Sequence, residues 1–259
     1  MPNCPGDVPQ LPGYDVPRPA GVTMVGSFRR ERLLALRVGE GPAGGVDDIV
    51  TVAPEYSTDS GADPLWEGVE PEPARRLLVA GLGLFAAQGF HGTTTRDIAA
   101  RAGMSPAALY VHYRTKEDLL FRISRIAHEA ALAVIPSESS GSGNPAGQLR
   151  AAVAAFTAWH ARHHTAARVA QYELAALERA HFRTVAAVRL AIERIFRKMI
   201  EHGVAAGEFE VSDTPATALA ILSLAIDLAR WYQPGSRHSP EELGDLYAGL
   251  ALRMVRSGH

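Results

Sequence analysis

The chain has 259 residues, 47% of them hydrophobic, which is enough for a real core in one or two domains. Its formal charge of −2 argues against a nucleic-acid binder until it is mapped: residues 1–72 hold 5 basic and 12 acidic side chains, residues 73–126 hold 8 and 3, and residues 127–259 hold 13 of each. Positive charge gathered in one short segment marks where DNA would sit and implies salt-dependent binding through released counterions. The single cysteine, Cys4, excludes an intrachain disulfide.

Residues 1–72 are rich in Pro, Gly, Asp and Glu, with turn pairs such as Pro5-Gly6, Pro12-Gly13 and Gly41-Pro42. So little apolar surface cannot offset the entropy of ordering, and a mostly disordered extension is expected. Residues 27–38 are the exception, because Phe28, Leu33, Leu34 and Leu36 interleave with Arg29, Arg30, Arg32 and Arg37 in the pattern of a short amphipathic helix. A DNA-contacting arm and a docking motif are its functional readings; the plainer one is an unselected extension from an upstream start codon. No apolar segment of a signal peptide occurs in residues 1–20, and the longest apolar run, 216–226, is far short of the ~20 residues a bilayer requires. A cytoplasmic protein with no membrane attachment is expected.

From Thr93 to Glu117 the sequence spells a short helix, a glycine turn, a second short helix and the start of a third. Thr94 caps the first, with Asp97 three residues on, and Ile98, Ala99 and Ala102 form its buried face while Arg96 and Arg101 stay wet. Gly103 supplies a left-handed C-terminal residue, Ser105 caps the next helix, and Pro106 opens it where a missing N–H is harmless. Thr115 and Asp118 repeat the capping signature. Three helix starts in so short a span describe a helix-turn-helix, with 106–113 as the recognition helix. Ala107 and Ala108 allow close approach and a methyl contact to thymine but no bidentate bond. Tyr110 and His112 are long and polar-tipped, whereas Leu109 and Tyr113, four apart, read as core. Lys116, beside a helix N-terminus, suits a phosphate.

These residues resemble the DNA-binding domain of the TetR family of one-component transcriptional regulators. The resemblance begins in 73–90 with its closing Gly89-Phe90 pair. It continues through Thr94-Thr95-Arg96-Asp97-Ile98-Ala99, Ala102-Gly103-Met104-Ser105, Leu109-Tyr110-Val111-His112-Tyr113 and Lys116-Glu117-Asp118-Leu119-Leu120. It implies phosphate contacts at Thr94, Thr95, Tyr110, His112 and Lys116, base contacts at Arg96, Ala107, Ala108 and Val111, and a place for Ser105 in the same surface. Double-stranded operator DNA is the implied partner.

Beyond this module the periodicity is helical throughout. A helix over 116–134 places Leu119, Leu120, Ile123, Ile126 and Ala127 on one face, a Ser/Gly/Pro break follows at 136–145, and helices are predicted at 147–163, 165–178, 181–206, 214–232 and 239–256. The expected fold is all-α with about nine helices, divided into a helix-turn-helix domain at 73–120 and a ligand-binding and dimerisation domain at 121–259. The run 216–229 is apolar all round and must be buried on more than one side. With the last helix, carrying Leu243, Leu246, Tyr247, Leu250, Ala251 and Met254, it resembles the family's four-helix dimer interface. A homodimer on a palindromic operator is therefore implied.

An effector cavity is expected among bulky residues of the middle helices, with Phe156, Trp159, His160, Arg168, Tyr172, Phe196 and Trp231 as candidate ligand contacts. The segments 168–174 and 229–235 look like those of actinobacterial TetR regulators of lipid or steroid breakdown, some of which answer to acyl-CoA thioesters. That implies a hydrophobic small-molecule effector of this kind. Arg168 and Arg230 are candidates for an anionic ligand group, and ion pairs with Glu173 or Asp227 account for them equally well. His160 and His164 stand one turn apart, yet no third carboxylate or cysteine is near in sequence, so no metal and no cofactor are assigned. No nucleophile elbow, phosphate loop, HExxH or nucleotide fingerprint occurs, and no catalytic residue is expected. The competing reading is an all-α interaction protein that keeps the helix-turn-helix without operator binding.

Overall fold

A computed structural model describes residues 63–136 and 144–256; Cys4 and the arginine-rich segment 27–38 lie outside the described residues. Among those described the secondary structure is entirely helical. The helices are α1 (Glu72–Gly92), α2 (Thr95–Arg101), α3 (Pro106–His112), α4 (Lys116–Ala133), α5 (Pro145–Arg162), α6 (His164–Tyr172), α7 (Arg179–Ala205), α8 (Thr214–Trp231) and α9 (Pro240–Val255). No helix among the described residues is long and apolar enough to cross a membrane.

Local chemistry sets most of these boundaries. Thr94 with Asp97, Thr115 with Asp118 and Ser239 with Glu242 form reciprocal capping boxes at α2, α4 and α9. Single side-chain caps from Ser105, Asn144 and Asp213 start α3, α5 and α8. Each satisfies backbone N–H groups that the first helical turn leaves without partners. The helix predicted over 165–178 stops sooner: α6 ends at Tyr172, a 3-10 turn occupies Leu174–Ala176, and Leu177 turns extended and buries its side chain.

One apolar cluster runs from Trp66 to Val255. Within it α5 is central, packed by α7, α8 and above all α9. The last contact is close because Gly244 has no side chain, and a Cβ there would stand 2.6 Å from the Ala154 carbonyl oxygen. α4 rests on α1 and runs along α6 and α7.

Residues 63–71 depart from the expected disordered extension. Asp63 caps a 3-10 turn at Pro64–Trp66, Trp66 is fully buried and Val69 nearly so, and the turn packs on α4. Two well-spaced apolar side chains suffice to dock this stretch, a signal that averaging over a Pro- and Gly-rich segment conceals.

Candidate nucleic-acid interface and effector region

α2 and α3 are held at their angle by a short turn and by α1. Gly103, at φ +67, closes α2, with its N–H on the Ala100 carbonyl at 3.0 Å and that of Met104 on Ala99 at 2.8 Å. Ile98 and Leu109 are fully buried between the helices. The Tyr113 hydroxyl donates to the Ala74 carbonyl at 3.0 Å, and burial pushes this phenol up to about 12. The Arg76 guanidinium donates to the Ala102 carbonyl, so α1 grips both the turn and the end of α3.

The opposite surface is left open. Thr94, Arg96, Ser105 and Ala107 are exposed, Val111 is 77% and Tyr110 56% accessible, and Thr95, Ala108 and His112 are half-buried. Tyr110 Oη and Thr95 Oγ1 lie 3.2 Å apart, bridging α3 to α2. One of these hydroxyls donates to the other, so one proton of the pair remains for an acceptor from outside, such as a phosphate oxygen. Thr94 is more committed: its hydroxyl donates to Asp97 Oδ2 at 2.6 Å and accepts the Asp97 N–H at 3.2 Å. The Thr94 bonds hold the Asp97 carboxyl below its usual range. Arg114, exposed in the bend before α4, is a cation beside this surface that motif reading passed over; its charge is its only sequence signal.

Lys116, expected to meet a phosphate, is engaged within the fold. Its Nζ donates to the carbonyls of Phe90 at 2.6 Å and Thr93 at 2.7 Å, and stands 4.1 Å from the centre of the Phe90 ring. Carbonyls at the end of α1 lie beyond its regular hydrogen-bond ladder, the Phe90 carbonyl accepting only a 3.3 Å bond from the Thr93 N–H, and they carry the negative end of the dipole, so they compete well for the ammonium. Burial lowers the pKa of Lys116, with Glu173 opposing.

The expected wide cavity is filled by the residues meant to line it. Phe156, Trp159, His160 and Phe196 are buried, with ring centres 5.6 Å apart for Phe156 and Phe196, 4.4 Å for Phe156 and His160, and 5.0 Å for Trp159 and His160. Packed in tilted and edge-to-face pairs, rings of this size remove a large apolar area from water. Burial pushes His160 down to about 4, and its Nδ1 lies 2.8 Å from the Phe156 carbonyl. Tyr172 and Trp231 lie outside this core, 54% and 43% accessible. Tyr172 borders an open cleft of about 260 Å³ with Phe85, Gly89, Arg168 and Glu173. A second cleft, of about 370 Å³, opens between Val69, Val111, Tyr113 and Arg122. Arg168 donates to the Ala86 carbonyl at 3.2 Å, and Arg230 forms a two-bonded pair with Asp227 at 2.7 and 2.8 Å. His163 meets Asp63 at 3.1 Å and His164 the Ala161 carbonyl at 3.2 Å, so these imidazoles serve separate partners.

Two tertiary features escaped the sequence. At the start of α4, Glu117 accepts the Glu178 N–H at 2.9 Å and the His181 ring N–H at 2.8 Å, while Phe121 stacks on His181 at 3.9 Å. This clasp fastens the helix that follows the recognition module to the start of α7. Glu117, Glu178 and His181 also bring three potential metal-ligand atoms within 4.8 Å of one another. At the junction of α4, α6 and α7, Arg189 bonds Gln171 Oε1 and lies 3.3 Å from His128 Nε2. His128 Nδ1 donates to the Ser124 carbonyl at 2.7 Å, which leaves Nε2 as the acceptor, and burial pushes this imidazole down to about 4.

Comparison with known proteins agrees with this architecture. Residues 77–123 match the family described as bacterial regulatory proteins, tetR family, and residues 142–255 match the tetracyclin repressor-like C-terminal domain. A solved tetR-family regulatory protein from Rhodococcus RHA1 is 40% identical, with a TM-score of 0.68 over 73% of this chain and all of that one. The transcriptional repressor KstR2 of Mycolicibacterium smegmatis is 28% identical over 189 residues, which is 70% of this chain and 91% of the repressor. AibR, solved with isovaleryl coenzyme A and operator DNA, shares the fold at 23% identity and a TM-score of 0.63, over 69% of this chain and 97% of AibR. All-helical among its described residues, with a capped helix-turn-helix, and matched across both parts, the chain belongs to the TetR family of DNA-binding transcriptional regulators.

Proposed function

We propose that this protein is a ligand-responsive repressor that binds a palindromic operator as a homodimer, through α2 and α3 of a DNA-binding domain at 73–120. The observation that carries the reading is the open surface of Arg96, Tyr110 and Val111, on which the Thr95–Tyr110 hydroxyl pair keeps one proton for an acceptor from outside. Dimerisation is supported by an apolar stripe on α8 and α9, where Leu219, Leu224, Trp231, Leu246, Leu250 and Met254 are exposed on the two helices that flank α5. Large apolar side chains left exposed along two helices that touch each other support an interface, and a two-fold dimer places two recognition helices ~34–36 Å apart.

The effector in this reading is a hydrophobic small molecule, a lipid or acyl-CoA, and the AibR complex with isovaleryl coenzyme A and operator DNA supports it. An entering ligand parts the rings of the aromatic core and shifts α4, whose first turn is tied to α1 by Lys116 and to α7 by Glu117. To move occupancy from nearly full to nearly empty, the ligand must prefer the released state by ~5 kcal/mol.

The test is operator selection from random duplexes with the full chain at two salt concentrations, alongside an Arg96→Ala, Tyr110→Ala double variant. A palindrome enriched by the native protein and lost in the variant is expected. A folded dimer that enriches nothing supports the all-α interaction protein instead.

A further inference from the structure

We infer that Arg189, held between Gln171 and His128, anchors an anionic group of the effector, a carboxylate or a phosphate. The inference rests on the ligand-responsive reading above and names the chemistry of its site.

The carrying observation is an uncompensated charge. Arg75, Arg125, Arg150, Arg162, Arg197 and Arg230 each meet a carboxylate within 4 Å. Arg189 is half-buried, and among the described residues its partners are a neutral amide and a neutral imidazole. Removing a guanidinium from water without a counter-ion is costly, and burial alone accounts for its lowered basicity. Gln171 and His128 orient the fork without neutralising it, which leaves N–H donors for a planar anion. Nearby, the buried Ser124 hydroxyl, one turn before His128 on α4, has no hydrogen-bond partner among the described residues.

The surroundings match an amphiphile. On α7, Val185, Ile192 and Phe196 follow the face of Arg189 at helical spacing, and all three are buried. Seven residues separate Arg189 from Phe196, about 10 Å along the helix. An acyl chain entering the aromatic core carries its charged end to Arg189.

The test uses the full-length protein with octanoate, octanoyl-CoA and methyl octanoate, following thermal unfolding and calorimetric binding. Arg189→Met, Arg189→Lys and the surface control Arg183→Met are compared with the native chain, and binding to the selected operator is measured on the same samples. Octanoate or octanoyl-CoA should stabilise the native protein and Arg183→Met, with affinity weakened by about tenfold in Arg189→Met and partly kept in Arg189→Lys. A response to octanoate identifies a carboxylate, and a response to octanoyl-CoA alone identifies the phosphates. Should Arg189→Met not fold, the contrast between the anions and methyl octanoate on the native chain decides. Equal binding of methyl octanoate, equal affinity in Arg189→Met, or no response to either anion overturns the assignment. If the protein binds operator yet ignores the anions, only this site fails; if it binds anions but no operator, the repressor reading fails.

Discussion

Replacing Lys116 by methionine separates two roles that the motif alone confuses. The variant keeps the apolar stem on Phe90 but removes two N–H donors from the carbonyls of Phe90 and Thr93. Hydrogen bonds from a charged donor contribute about 1.5–3 kcal/mol each, and partial exposure of the ammonium reduces the pair to about 2–4 kcal/mol. For a chain of this size that lowers the unfolding midpoint by about 4–16 °C, read by circular dichroism. Operator affinity is then measured across salt concentrations. A lost phosphate contact flattens the dependence of log K on log salt by ~0.9 per protomer, ~1.8 per dimer. The structure predicts a lower midpoint with an unchanged slope. An unchanged midpoint with a slope flattened by ~1.8 would refute the assignment of Lys116 as the clasp on α1.

Other perturbations address the remaining parts. Leu250→Glu together with Leu219→Glu places charge on the exposed stripe of α8 and α9; sedimentation should show a helical monomer with weakened operator binding, and an intact dimer contradicts the proposed interface. Trp66→Ala empties a fully buried site and should cost about 3–5 kcal/mol in urea unfolding, whereas a loss under 1 kcal/mol would mean the segment before α1 does not pack as described. His160 titrates at about 4 in the folded chain against 6.5 unfolded, so the unfolded state takes up a proton first as pH falls. Its stabilisation is complete above pH ~6.5 and lost toward pH 4, a decline of about 2–3 kcal/mol between pH 7 and 4.5. His160→Gln should make that part of the profile shallower by this amount, His128, also pushed down to about 4, keeping its own share, and an identical profile in the variant would show that other groups carry it.

Helix boundaries were legible because their causes are local. The Thr94, Ser105, Thr115 and Ser239 caps, the Gly103 turn and Pro106 act on backbone groups within four residues, so composition and spacing suffice to place α2, α3, α4 and α9. The family resemblance and the all-α class rest on the same short-range grammar. What side chains do across helices was not legible. The fate of Lys116 depends on carbonyls 23 and 26 residues earlier, and that of Arg189 on a histidine 61 residues earlier. Aromatic spacing on α5 and α7 identifies Phe156, Trp159 and Phe196 as inward-facing, but the same pattern serves a packed core and a ligand cavity. The sequence by itself determined which helices form and which residues of α2 and α3 stay on the open surface. Only the tertiary structure decided which charges are already satisfied and whether the core is filled, because distant backbone and side-chain groups compete for the same donors and the same volume.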